Sequence, residues 1–386
     1  MLKYIYVLNN RVVIEDMMLK VTSIKLIVCM LLLQCLSACS TTPEKKEEYV
    51  FYPPLPSPPR IQYLTSLSGP ADLINDESAF SRFVLGDDKQ DDAGVKKPYG
   101  VSIKDGIIYL VDIRGSGYAM FDLKQNKFDM VHGSFSGKMN KPINIFVDDD
   151  GSRFVTDTIR NVVIVFDKND EFVKVIGDGK SFKPADILIV DERLFISDIK
   201  NHIIQVYDKD TDKKLYTIGK VGSSEGELFF PANMTLSPDN HLYISETGNF
   251  RIQEFTLDGE FIRSMGKVGT GVGQFARPKG ISIDRDGNIY VVDAAFQNIQ
   301  IISKEGEMLM FFGEPGGRKD NINLPADVLV DYDHVSYFQK YAKPGFKLEY
   351  ILLVTSQFGA SKLNVFGYGQ MDGVDYSSSK PDEVIQ

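Results

Sequence analysis

Asn144, Asp186, Asn233 and Asp327 are oxygen-bearing side chains that recur at one position of a repeat in this sequence. Each stands two residues after a proline, namely Pro142, Pro184, Pro231 and Pro325. Gly100 and Gly280 hold the same place after Pro98 and Pro278. Amide and carboxylate oxygens gathered into one ring could ligate a hard cation such as calcium or hydrogen-bond a small ligand. A second set, Arg114, Arg160, Lys200 and Arg251, follows within five residues of Asp112, Asp157, Asp198 and Glu246. These cations would form a basic rim for an anionic partner. The acids themselves, with Asp293 as a fifth, recur at strand ends, where a carboxylate accepts backbone N–H groups of the next turn. Separate turns each need such a lock, so the acids read as structural rather than as a metal ring.

The elements that must position these side chains follow a clock. Pro98, Pro142, Pro184, Pro231, Pro278 and Pro325 are separated by 44, 42, 47, 47 and 47 residues. After each comes a short apolar run, a turn, and a second apolar run usually closed by an acid. Two further runs follow in most repeats. Asp150-Gly151, Asp239-Asn240 and Asp286-Gly287 supply tight turns between the first two. A period in the forties with about four strands per unit predicts an all-β, six-bladed β-propeller, whose blades bury their faces only against neighbours. The sixth repeat offers three strands, Ala326 to Val330, Tyr350 to Thr355 and Lys362 to Phe366. Arg60 to Leu67 is a strand without a blade, and pairing it with the last strand would close the ring and cover both edges. The propeller is thus expected over residues 60–369, with a polar tail over 370–386.

The fifth repeat reads Pro278-Lys279-Gly280-Ile281, then Asp286-Gly287-Asn288-Ile289-Tyr290-Val291-Val292-Asp293, then Asn298-Ile299-Gln300-Ile301-Ile302. The fourth carries Asn249-Phe250-Arg251-Ile252-Gln253. Both resemble the NHL repeat. The resemblance implies a propeller over the repeated region and leaves function open, because such propellers serve as enzymes, RNA binders and protein docks. A related lyase that completes peptide amidation holds zinc with three histidines. Here strand order sends His132 and His202 to one end and His241 and His334 to the other, so three cannot converge. Calcium-dependent lactonase-like propellers use converging Glu, Asn and Asp, and the Asn144, Asp186, Asn233, Asp327 ring keeps that alternative open.

The N-terminal segment reads as a targeting device. Lys20 and Lys25 precede the apolar run Leu26 to Leu33, and Leu36-Ser37-Ala38-Cys39 resembles a bacterial lipobox, which implies cleavage after residue 38 and acylation of the Cys39 thiol. The true start is expected at Met17 or Met18. Ser40 resembles the default signal for sorting to an outer membrane. All three cysteines lie at or before the box, so no disulfide is expected in the exported body. Residues 39–59, rich in charge and then in proline, are expected to form an extended tether.

Net charge is -10; residues 1–38 hold four basic and two acidic side chains, so the remainder stands at -12. Such a body is a poor partner for nucleic acid. Two insertions break the rhythm. Residues 71–96 contain Ala79 to Leu85, read as a short helix, and the acidic run Asp87 to Asp92, read as a solvated lid. His334 to Leu348 is aromatic and read as a helix ending at Lys343-Pro344-Gly345. The sequence therefore predicts a monomeric, lipid-anchored propeller of the bacterial envelope. It would act as a non-catalytic binding or scaffold module for a protein, peptide or small anionic ligand and need no cofactor. The alternative is a calcium-assisted hydrolase.

Overall fold

The computed structural model describes residues 49–73 and 94–376. The expected export signal, Cys39, the helix expected at 79–85, the acidic run at 87–92 and the end of the tail lie outside them. The six inner strands of the propeller are β3 (Pro98–Lys104), β7 (Pro142–Val147), β11 (Pro184–Val190), β15 (Pro231–Leu236), β19 (Pro278–Ile283) and β23 (Asn323–Asp331). Five of them open on the timing proline. A proline has no N–H to give a ladder, so it is tolerated as the first residue of a strand.

Blades one to five are four-stranded antiparallel sheets in simple sequence order. In each, the proline faces the acid that ends the second strand: Pro98 pairs with Asp112, Pro142 with Asp157, Pro184 with Asp198, Pro231 with Glu246 and Pro278 with Asp293. A bulge follows each of these pairs, and it re-aims the next residues toward the channel. Inner strands run from one face of the disc to the other. The loops after second strands and those between blades therefore share one face, here called the mouth face, and the remaining hairpin turns share the opposite one.

Blade six is built from β23, β24 (Phe346–Phe358), β25 (Leu363–Met371) and β2 (Ile61–Leu67). β2 lies antiparallel to β25, with Ile61 opposite Tyr368 and Leu67 opposite Leu363. The ring closes as the orphan strand predicted. The expected tether needs correction at its end. Phe51–Tyr52 forms a further strand, β1, on β2, with Phe51 opposite Gln62. Phe51 is buried edge-on against Phe346, and Tyr52 meets Phe312 and Phe366. Burying two aromatic side chains outweighs the extended preference of the prolines between them and Arg60. That segment folds back, with Ser57 N–H donating to Pro54 O (3.1 Å) and Arg60 N–H to Tyr52 O (3.0 Å).

The polar tail also begins later than expected. β25 continues to Met371, and the Tyr376 hydroxyl donates to Pro59 O (2.9 Å) while Arg60 stacks on the Tyr376 ring. The aromatic insertion forms a helix at Val335–Phe338 followed by a single tighter turn at Gln339–Tyr341. Phe338 is fully buried in the core between blades six and one, beside Leu64, Leu353 and Phe121. Gln62 ties the insertion down through Nε2 to Tyr341 O (3.3 Å) and through Oε1 from Lys343 N–H (3.0 Å).

Candidate functional site: the mouth of the central channel

Each timing acid does more than lock its own turn. Asp157 accepts N–H groups from Ile159 (3.0 Å) and Arg160 (2.9 Å) in the following turn, as predicted, and also from Asn140 (2.6 Å) and Lys141 (3.0 Å) in the loop entering the blade. Asp112 holds Lys96 and Lys97 in the same way, Asp198 holds Lys183, and Asp293 holds Ala276 and Arg277. The residue before the proline is thus fixed at the lip of the channel. In four of six blades it is a cation: Lys97, Lys141, Lys183 and Arg277.

Below the lip lies the oxygen-bearing ring. Asn144, Asp186, Asn233 and Asp327 are all buried, and three of them bond from blade to blade or along their own strand. Asn144 Nδ2 donates to Asp186 Oδ1 (2.5 Å), and Asp186 Oδ2 accepts from Met234 N–H (2.7 Å). Asp327 Oδ2 accepts from Val101 N–H (3.1 Å), and its Oδ1 from Val328 N–H (3.0 Å). Asn233 sits beside Ser245, whose hydroxyl accepts its backbone N–H (3.2 Å) and donates to Lys279 O. The two glycines at the same position have a steric reason. A Cβ at Gly100 would run into Asn144, and one at Gly280 into Asp327, so glycine admits the polar residue of the next blade. The ring therefore seams the inner strands together. Burial pushes the Asp186 carboxyl up to about 8, helped by the charge of Asp327, and burial pushes Asp327 itself up to about 7.

The rim cations named from sequence turn mostly onto loop carbonyls. Arg160 Nη1 donates to Ser136 O and Lys138 O (2.8 Å each), Lys200 Nζ to Lys180 O, and Arg251 to Ser223 O, Ser224 O and Glu227 O as well as to Glu246. Arg114 is exposed. The mouth itself is a cavity of about 400 Å³ reached by all six blades. Its charged lining is Lys97, Lys141, Lys183, Arg277 and Lys279, and no acid lines it. Among the described residues none of these five has an ion-pair partner. Lys279 is 6% exposed and lies over the Tyr99 ring at 4.7 Å. Burial, with Arg277 and Lys97 alongside, pulls the Lys279 ammonium down to about 8. Burial and the charge of Asp327 raise the Tyr99 hydroxyl to about 12. Gln357, 4% exposed, also lines the cavity, and its buried Nε2 has no hydrogen-bond partner.

Sequence reasoning missed this set, although its signal was present: four cations sit at one phase of the repeat, just before the proline. Net charge concealed it. The acids concentrate on the opposite face, in turns such as Asp148-Asp149-Asp150, Asp191-Glu192 and Asp210-Thr211-Asp212. The histidines divide as expected, with His241 bound to Glu254 (2.6 Å) and His334 to Asp331 (3.0 Å), while His202 packs against Phe229 and Phe230 at the mouth. Among the described residues no three His, Cys, Asp or Glu side chains converge as metal ligands.

No family model matches the sequence, and no curated protein matches it. Solved structures do resemble it. An auxiliary nutrient binding protein from Bacteroides thetaiotaomicron is 13% identical with a TM-score of 0.57, covering 81% of this chain and 77% of its own. A gluconolactonase from Xanthomonas campestris is 12% identical with a TM-score of 0.53, covering 80% and 89%. A catalytically inactive virginiamycin B lyase from Staphylococcus aureus, solved with quinupristin, is 17% identical with a TM-score of 0.50, covering 72% and 85%. At these identities the likeness shows the six-bladed propeller fold, which serves both binding proteins and enzymes.

Proposed function

We propose that this chain is a binding module of the bacterial envelope, anchored through a lipid on Cys39, whose mouth face takes an anionic partner. The observation that carries the reading is the mouth itself: five cations line one cavity with no carboxylate among them, in a chain whose net charge is -10. Low-dielectric walls focus such a field and raise the local concentration of anions. The resemblance of Leu36-Ser37-Ala38-Cys39 to a lipobox supports the envelope placement. A nutrient-binding protein among the structural neighbours is in keeping with a binding role.

A calcium-assisted hydrolase built on the oxygen ring is the competing reading. It is weakened by the ring's own bonds, since both oxygens of Asp186 and of Asp327 already accept N–H groups. Titration calorimetry separates the two. Citrate, a compact multivalent anion, should bind the exported protein at low salt. A Lys97→Gln/Lys183→Gln/Arg277→Gln variant should lose that binding while melting at the same temperature. Calcium should give no heat. Calcium binding coupled to lactone turnover, or citrate binding that the variant retains, would overturn the proposal.

A further inference from the structure

The cavity is more than a ring of charge, and its two most deeply buried donors stand at one side of it. Lys279 belongs to blade five and Gln357 to blade six, and Tyr99 and Lys97 reach the same cavity from blade one. Among the described residues Lys279 has no ion-pair partner, its Nζ lying instead over the Tyr99 ring at 4.7 Å, and Gln357 Nε2 has no hydrogen-bond acceptor. A buried amide N–H without an acceptor is costly to fold around, and beside it stands an ammonium that no carboxylate balances, so the two together call for an anionic acceptor from outside the chain. Between the lip cations and two threonines, Thr158 and Thr247, the wall carries an apolar stretch of Ile113, Ile143, Ala185, Ile199, Ala232 and the half-exposed Phe230. A cavity of about 400 Å³ lies in the range of small organic ligands, roughly 300–1,000 Å³, and has room for more than a bare inorganic ion.

We infer that the mouth is a site for an organic acid with an apolar body, its carboxylate received by Lys279 Nζ and Gln357 Nε2 and its carbon skeleton laid across the aliphatic wall toward Phe230. A carboxylate offers two oxygens, one for each of these donors, and a single charge for the one buried ammonium. Arg277 and Lys97 at the lip attract the acid without having to touch it. This inference rests on the anionic-mouth reading and narrows its ligand class.

The test is a calorimetric series on the exported protein with acetate, hexanoate, octanoate and 3-phenylpropionate, with inorganic phosphate and citrate as controls. Affinity should rise about threefold to fourfold per methylene buried, and phosphate should bind more weakly than hexanoate. Lys279→Met should weaken octanoate at least tenfold. Gln357→Leu should weaken it severalfold and leave the melting temperature equal or higher, because the amide it removes has no partner; a structural glutamine would lower it. A flat response along the series, phosphate as tight as octanoate, or octanoate binding unchanged in both variants would overturn the inference. If citrate still bound and the triple lip variant still abolished that binding, the mouth would remain an anion site of another class. If no anion bound, both readings would fall.

Discussion

Replacing Asp157 by alanine removes a carboxylate that is fully buried and accepts four backbone N–H groups, two from the loop entering blade two and two from the turn leaving its second strand. A hydrogen bond to a charged group contributes about 1.5–3 kcal/mol, and a buried donor left unpaired costs about 1–3 kcal/mol. The four do not add in full, because the flanking loops are partly exposed and water can reach some of the freed N–H groups. The expected loss is about 3–5 kcal/mol, which sits at the upper end of what single substitutions do. Asparagine, which keeps one accepting oxygen and turns an NH₂ toward the other pair of donors, should lose about as much as half that or more. Urea unfolding followed by circular dichroism would read the change as a shift in midpoint at unchanged slope. Because Lys141 N–H is one of the four donors, citrate affinity should fall in parallel. A loss below about 1 kcal/mol, less than one such hydrogen bond contributes, would refute the view that these acids hold the mouth together.

Two further outcomes follow from the same geometry. Asp186 and Asp327 have folded values near 8 and 7, above their ordinary one, and Lys279 has a folded value near 8, below its own. As pH rises from about 4 to 8 the native state holds protons on the two carboxyls that the unfolded chain has released, so stability falls; from about 8 to 10.5 the unfolded chain holds the lysine proton that the native state has lost, so stability rises. A urea midpoint measured against pH should therefore pass through a minimum near pH 8, by on the order of a few kcal/mol, and Asp327→Asn should flatten its acid side; a monotonic rise from pH 5 to 9 would count against the buried ring. Deleting Arg60 to Leu67 removes the buried Ile61, Leu64 and Leu67 and uncovers the edge of Leu363–Met371, so the product should aggregate or melt without cooperativity. A soluble, monomeric protein with a sharp melt at the wild-type temperature would refute closure by this strand.

The repeat and its closure were legible because they are written in residues with a single conformational use. Proline at the head of each inner strand, an acid at the foot of the second, and an unpaired strand ahead of the first blade leave few other folds. The buried ring was legible by position, two residues past the proline, though its role was not. Whether Asp186 faces a ligand or the Met234 N–H of the next blade depends on how closely adjacent inner strands approach, which no local pattern states. The mouth cations were hidden by summation, since net charge mixes the two ends of every strand. Arg160, Lys200 and Arg251 looked like a rim because they fall in mouth-face loops; their length lets them bend onto carbonyls of the neighbouring loop instead. The prolines after Tyr52 read as a spacer because the burial of Phe51 and Tyr52 is a tertiary effect that no local pattern announces.

The central claim is that a local positive field at the mouth governs anion capture in a protein whose overall charge is negative. Screening acts over about 10 Å at 0.1 M salt, so the sign of the salt dependence reports which field the anion feels. Citrate affinity measured by calorimetry from about 20 to 300 mM sodium chloride, a range that spans that screening length, should fall steadily as the lip cations are screened. An affinity that rises with salt, as repulsion from the net negative body would produce, would contradict the account.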